Sequence, residues 1–267
     1  MDELEREASL QETDDFIVDS LSRPIQLLYQ DEFLVAAFKP AGLITHRSKL
    51  TLPHEPVLLQ SVRDQLNQFV YPIHRLDRPT AGIVLFALSS EAAARFTRLF
   101  ASREISKYYQ AIVRGFTESK FVVDRPLQDK FGEDWDEGST ANHPMQSAET
   151  EFVRLETFEL DWPMNQFPTS RYSLLEIKPI TGRWHQIRRH LNHVSNPVIG
   201  DHRHGDHRHN QLVYSKTGIY RMLLTALRLD FRHPFTDQLI TIHSGRGSEF
   251  DRVVDYMRTN NMNGGAT

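Results

Sequence analysis

The chain has 267 residues, room for one large domain or two small ones, and its 39% hydrophobic and 10% aromatic content suffices for a buried core, which excludes wholesale disorder. No apolar run exceeds the six residues of 33–38 or 83–88, against about 20 for a membrane span; with no cysteine and no basic, apolar leader after Met1, the pattern predicts a soluble cytoplasmic protein without disulfides or thiolate metal sites. A net charge of −4 argues at first against nucleic acid, yet residues 1–20 carry eight acids against one base, which leaves the remainder at +3.

Residues 1–22, acidic and without periodicity, read as a disordered tail ahead of one domain at 23–258. Ile25–Tyr29 and Phe33–Phe38 read as strands, and Leu59, Val62, Leu66 and Phe69 recur at helical spacing. A turn-rich segment, 74–82, feeds the apolar strand Ile83–Leu88. Ser89 or Ser90 can cap a helix whose buried stripe is Ala92, Phe96, Leu99 and Phe100, and Tyr108–Arg114 follows as a strand. Residues 129–149 are polar and aperiodic, as an excursion over the surface would be. Further strands are expected at Arg171–Lys178, Leu223–Phe231 and Leu239–His243, with a short helix after Gly182 that buries Ile187 and Leu191; 259–267 reads as a frayed end. Strands outnumber helices without strict alternation, which predicts an α+β fold on a mixed, mostly antiparallel sheet.

Three segments carry chemistry. In His74-Arg75-Leu76-Asp77-Arg78-Pro79-Thr80-Ala81-Gly82, Asp77 sits on a loop held by a rigid strand and flanked by two guanidiniums, which would keep it ionised as a nucleophile; an Asp that merely closes a turn is the plainer alternative. In Arg103–Gly115, alternation turns one of Tyr108 and Tyr109 inward, to stack on a base, handle a proton, or only pack. In Lys178–His190, Arg183, His185, Gln186 and Arg189 can donate to phosphates or orient the site. Arg188 lies beside apolar Ile187, and if buried it demands a carboxylate, for which Asp77 is the candidate. The surrounding stretch 171–233 holds eleven Lys/Arg and eight of the thirteen histidines against four acids, a field that can steer a polyanion.

Together HRLDRPTAG (74–82), KYY (107–109) and TGRWHQIRRH (181–190), in that order, resemble the signatures of the RluA family of pseudouridine synthases. FLVAAFKPAGLITH (33–46), NPVIGDHRHG (196–205) and LLTALRLDFRHPF (223–235) extend the resemblance over about residues 25–245. Within the family, LLYQDEFLVA (27–36), THRSKL (45–50), QSVRDQL (60–66) and HPFTDQLITIH (233–243) are most similar to members that act on uridine 65 of tRNA. The resemblance implies a pseudouridine synthase fold around a central RNA-binding cleft, without the S4-type RNA-binding module of several relatives. It also implies isomerisation of a tRNA uridine to pseudouridine without cofactor or metal; another tRNA or rRNA site is the alternative. Asp77 is then the nucleophile, attacking the ribose, acting through a glycal, or adding to the base. Tyr109 packs on the uracil and assists proton removal, Arg188 pairs with Asp77, and Arg75 fills the space of the extruded base. His74, Arg78, Lys107, Arg183, His185, Gln186 and Arg189 are expected to contact RNA. The partner implied is tRNA, met by a monomer with no membrane and no obligate protein partner.

Two other readings compete. Four histidines and an aspartate in His202–His209 invite a metal, but arginines interleave them and the spacing matches no catalytic set, so phosphate contact or adventitious binding is preferred. A non-catalytic RNA-binding module would be expected to lack Asp77, Tyr109 or Arg188, and all three are present.

Overall fold

The computed structural model describes residues 24–47, 52, 55–128 and 144–262. The apolar runs form the expected strands: β1 (Leu27–Gln30), β2 (Leu34–Lys39), β4 (Ala81–Ala87), β5 (Ser106–Arg114), β10 (Ser170–Pro179), β11 (Leu224–Arg232) and β12 (Leu239–His243). Short β3 (Tyr71–Pro72), β6 (Lys120–Asp124), β7 (Leu127–Gln128) and β8 (Met145–Gln146), and the twelve-residue β9 (Glu149–Leu160), were not expected from the pattern. The expected helices are α1 (Leu58–Leu66), α2 (Ser90–Ala101), capped by the Ser89 hydroxyl accepting from the Ala92 amide, and α3 (Gln186–His193). To these the structure adds α4 (His207–Thr217) and α5 (Ser248–Thr259).

Ten strands form one sheet in the order β1-β2-β4-β11-β5-β10-β9-β6, with β12 on β11 and β3 on β4, while β7 and β8 pair apart. Every pairing is antiparallel except β4 with β11, where Ala81 and Gly82 meet Thr225 and Ala226. Mixed, mostly antiparallel and flanked by helices, the sheet agrees with the α+β expectation. No helix among the described residues is long and apolar enough to cross a membrane.

Alternation along the strands assigns a core to each face. On β4, Val84 and Phe86 face α1 through Leu58 and Val62, and Ile83 and Leu85 face α2 through Ala92 and Phe96. On β5, Ala111 and Val113 join Ile187 and Leu191 of α3, whereas Ile112 joins Phe250, Val253 and Val254 of α5. Tyr109 packs against both the α1 and the α3 clusters, so the gap between those helices lies over the middle of the sheet. Residues 1–23 and 129–143, most of the expected tail and surface excursion, lie outside the described residues. The expected fraying is corrected at 259–262: Thr259 ends α5, the Asn261 side chain accepts from the Glu159 amide, and the Met262 amide donates to Glu159.

Candidate active site

The gap over the sheet is a cavity of about 450 Å³ whose wall includes Asp77, Arg75, Lys107, Tyr109, Arg183 and Arg188, within the ~300–1,000 Å³ usual for ligand sites. The three sequence segments therefore converge, although more than 100 residues separate the first from the last. Asp77 is placed by a turn in which the Thr80 amide donates to its carbonyl at 3.0 Å, with Leu76 anchored in the core beneath. Lys39 fixes this turn from below. Fully buried at the end of β2, its ammonium donates to the carbonyls of Pro40, Leu43 and Arg78 at 3.0, 2.7 and 2.9 Å, using all three protons. No sequence expectation assigned Lys39 a role; its signal was a lysine closing an otherwise apolar strand.

Arg188 is 4% exposed and spans two carboxylates. Its Nη1 donates to Asp77 Oδ2 at 3.0 Å, as the buried-guanidinium argument required. Its Nε and Nη2 donate to Asp201 Oδ2 and Oδ1 at 2.6 and 2.8 Å, a bidentate pair that the sequence reading did not foresee. Asp201 Oδ1 also accepts the amides of Arg203 and His204, so the loop after Gly200 is folded around the carboxylate that holds Arg188.

The electrostatics correct one expectation. Burial pushes the Asp77 carboxyl above the ordinary aspartate range, against the opposing pull of Arg188, Arg75 and Lys39; the flanking guanidiniums do not win. Burial, and next the Asp77 charge, push the Tyr109 phenol upward, so Tyr109 offers the cavity a ring and an O–H rather than a base. Burial lowers Lys107, with Arg103 adding to the effect.

The residues expected on RNA divide. Arg75, Lys107 and Arg183 line the cavity, and so do His74, His185 and Gln186. Arg78 turns away: its Nε donates to the Gly42 carbonyl and its Nη1 pairs with Glu55. Arg189 donates to the Gln128 and Trp184 carbonyls and is absent from the wall. His74 accepts the Leu85 amide at 3.1 Å and stacks on Phe100, and burial lowers it to about 3, so its Nε2 is engaged inside the protein. Gln186 is buried and cross-links the third segment internally, accepting from Thr181 Oγ1 and the Arg183 amide and donating to Glu149 and Thr150. His185 is likewise neutral, lowered by burial to about 2, with Arg188 the next contributor.

The basic stretch is also less free than its composition implied. Six of its eleven bases pair with carboxylates: Arg171 with Glu159, Lys178 with Glu151, Arg188 as above, Arg221 with Glu249, Arg228 with Asp230 and Arg232 with Asp237. Each of those groups already faces an opposite charge, so the stretch offers a polyanion a weaker field than its count of bases suggests. The histidine run splits up: His204 meets His185, His209 meets the Tyr172 hydroxyl at 3.0 Å, and Asp206 caps α4. Among the described residues no three His, Asp or Glu side chains converge as a metal site.

A family model described as RNA pseudouridylate synthase matches residues 34–193. Proteins named tRNA pseudouridine synthase C are similar over most of the chain: one from Vibrio vulnificus is 42% identical over 86% of this chain and 92% of its own. One from Salmonella typhi is 44% identical over 86% and 88%, and one from Haemophilus influenzae is 40% identical over 89% and 100%. The solved structure of human RNA pseudouridylate synthase domain containing 4 superposes with a TM-score of 0.65 at 25% identity, covering 93% of this chain and 97% of that one. With the family model spanning more than half of the chain, and the HRLD loop, the K-x-Y strand and the TGRxHQ helix meeting in one cavity, the chain belongs to the RluA-type RNA pseudouridylate synthase family.

Proposed function

We propose that the protein converts a uridine of tRNA, at position 65, to pseudouridine, with Asp77 as the nucleophile. The observation that carries this reading is the Asp77–Arg188 pair at 3.0 Å in the wall of a cavity shared with Tyr109, in a chain more than 40% identical over most of its length to proteins named tRNA pseudouridine synthase C.

The reaction exchanges the N1–C1′ bond for a C5–C1′ bond, so C5 loses a proton, N1 gains one, and nothing is oxidised or reduced. A stacked uridine hides its glycosidic bond and must be flipped into the cavity, at a cost of a few kcal/mol; Arg75 fills the gap it leaves. Ionised Asp77 supplies the electron pair that assists loss of N1, and Arg188 orients it and opposes the effect of burial on its charge. Once C5 has bonded to C1′, Asp77 is free again. Its raised pKa makes it a competent acceptor for the C5 proton, which the upshifted phenol of Tyr109 is not. Specificity for a stem junction comes from shape and 2′-hydroxyls, because the edges of an A-form duplex are poorly readable.

Tritium release from tRNA labelled at C5 of uridine tests the reading. Wild-type protein releases tritium and leaves pseudouridine at position 65; Asp77→Asn releases none while still binding tRNA. Modification at another uridine refutes the position alone, and an active Asp77→Asn refutes the mechanism.

A further inference from the structure

The surroundings of His185, a largely covered side chain of the cavity wall, fix its ring in detail. The ring stacks on Trp184 at 3.8 Å and 22°, the Arg203 guanidinium covers Trp184 at 4.7 Å, and His204 meets His185 edge-on. His185 is also the residue before α3, with a left-handed backbone of φ 49 that side-chain-bearing residues adopt at a cost. The result aims its Nε2 at Asp77 Oδ2, 3.7 Å away, while its Nδ1 lies 2.9 Å from His204 Nε2.

Two physical points follow. A neutral imidazole has one N–H, and the contact with His204 accommodates either tautomer. With the proton on Nδ1, however, the Nε2 lone pair would face the lone pairs of a carboxylate, which is repulsive. With the proton on Nε2, His204 donates to Nδ1 and the N–H dipole points at Asp77, so only that tautomer suits both neighbours. The second point is that Arg188 Nη1 and His185 Nε2 address the same carboxylate oxygen, Oδ2, at 3.0 and 3.7 Å. No hydrogen bond or ion pair among the described residues reaches Oδ1.

We infer that His185 is a positioning residue for Asp77: locked by His204 as the Nε2–H tautomer, it joins Arg188 in holding Oδ2 and leaves Oδ1 as the oxygen turned to the substrate. The inference rests on the function proposed above and adds to it which oxygen faces the substrate and what fixes it. At 3.7 Å the contact is loose, and a small rotation of either side chain as substrate fills the cavity closes it to hydrogen-bond length.

The test compares wild type, His185→Phe and His185→Gln for single-turnover pseudouridine formation and for tRNA affinity. Phenylalanine keeps the stack on Trp184 without the donor, whereas the glutamine amide can place an N–H near the Nε2 position. His185→Phe is expected to slow turnover by about 10- to 100-fold with unchanged tRNA affinity, and His185→Gln to recover much of the loss. If His185→Phe fails to fold by circular dichroism, His204→Phe, which removes the tautomer lock, carries the rate test and is expected to be slow. Nitrogen-15 NMR of the histidine rings, with His185 assigned by its loss in His185→Gln, gives a readout independent of activity: Nε2 protonated. Wild-type turnover in the Phe variants, a defect confined to tRNA affinity, or an Nδ1–H tautomer at His185 overturns the inference. A wild-type protein that forms no pseudouridine refutes the proposed function instead, and the tautomer still decides the assignment.

Discussion

Arg188 serves two carboxylates, and their inequality explains how the site is held. Asp201 is fully buried and takes two of the guanidinium's donors with near-ideal fork geometry, so it is the anchor; Asp77, a quarter exposed to the cavity, takes one. Because both members of the Arg188–Asp201 pair are out of water, removing one leaves a buried charge without its main partner, a loss of about 3–5 kcal/mol. Asp201→Ala is therefore expected to lower unfolding free energy by that order in urea denaturation and to abolish turnover, since Arg188 is then free to swing off Asp77. A smaller loss, below about 1 kcal/mol, would mean that Asp77 alone suffices to hold Arg188. The need for a partner to a buried Arg188 was legible in the sequence, and so was Asp77 as a candidate. That a second carboxylate dominates was not, because Asp201 lies in a loop whose fold around Arg188 depends on the backbone amides of Arg203 and His204, which composition does not reveal.

The single parallel pairing, β4 against β11, carries the HRLD loop directly into the sheet. Gly82 is where this junction is tightest: φ is +117, and a Cβ there would lie 2.2 Å from the Ala226 carbonyl oxygen on β11. Gly82→Ala must push the two strands apart and adopt a backbone that alanine resists. It is expected to destabilise the protein by at least about 2 kcal/mol and, by tilting the Asp77 turn, to slow turnover more than it weakens tRNA binding. A thermal midpoint and turnover equal to wild type would show that the strands can separate without moving the loop. The glycine was readable as a turn residue, but its partner Ala226, 144 positions later, was not. β9 illustrates the same limit. It carries Glu149, Glu151, Glu156 and Glu159, which make the segment look solvated, and it has one extra residue, Leu155, opposite the step from Leu174 to Leu175. Across that bulge its even-numbered residues change face, Phe152 packing with α3 and Phe158 with α5, so no single buried face runs through the strand.

At the scale of the molecule, two fields set conditions for function: buried histidines and the split of formal charge. His74, His185 and His204 are held near 3, 2 and 4 by burial, far below the usual imidazole value of 6.5. Below pH 6.5 the unfolded chain thus binds protons that the folded protein refuses, and stability falls as pH drops from 6.5 toward 4, by up to about 1.4 kcal/mol per pH unit for each group. In His74→Gln, whose amide oxygen can still accept the Leu85 amide, that slope should shrink, as urea midpoints across the range will show; an unchanged slope would mean that His74 protonates in place.

The −7 on residues 1–20 opposes the +3 on the rest of the chain, and with six bases of the 171–233 stretch already paired, the positive field available to a polyanion is modest. If the acids of residues 1–20 compete with RNA for that field, they do so through charges screened over about 10 Å at 0.1 M salt. Deleting residues 1–20 is expected to leave turnover intact, to tighten tRNA binding at 50 mM salt, and to leave affinity unchanged at 500 mM, where the Debye length is about 4 Å. Filter binding at both salts, with turnover measured alongside, separates the outcomes. Equal affinity at low salt would place the tail away from the RNA path, and lost turnover would make the tail part of the enzyme.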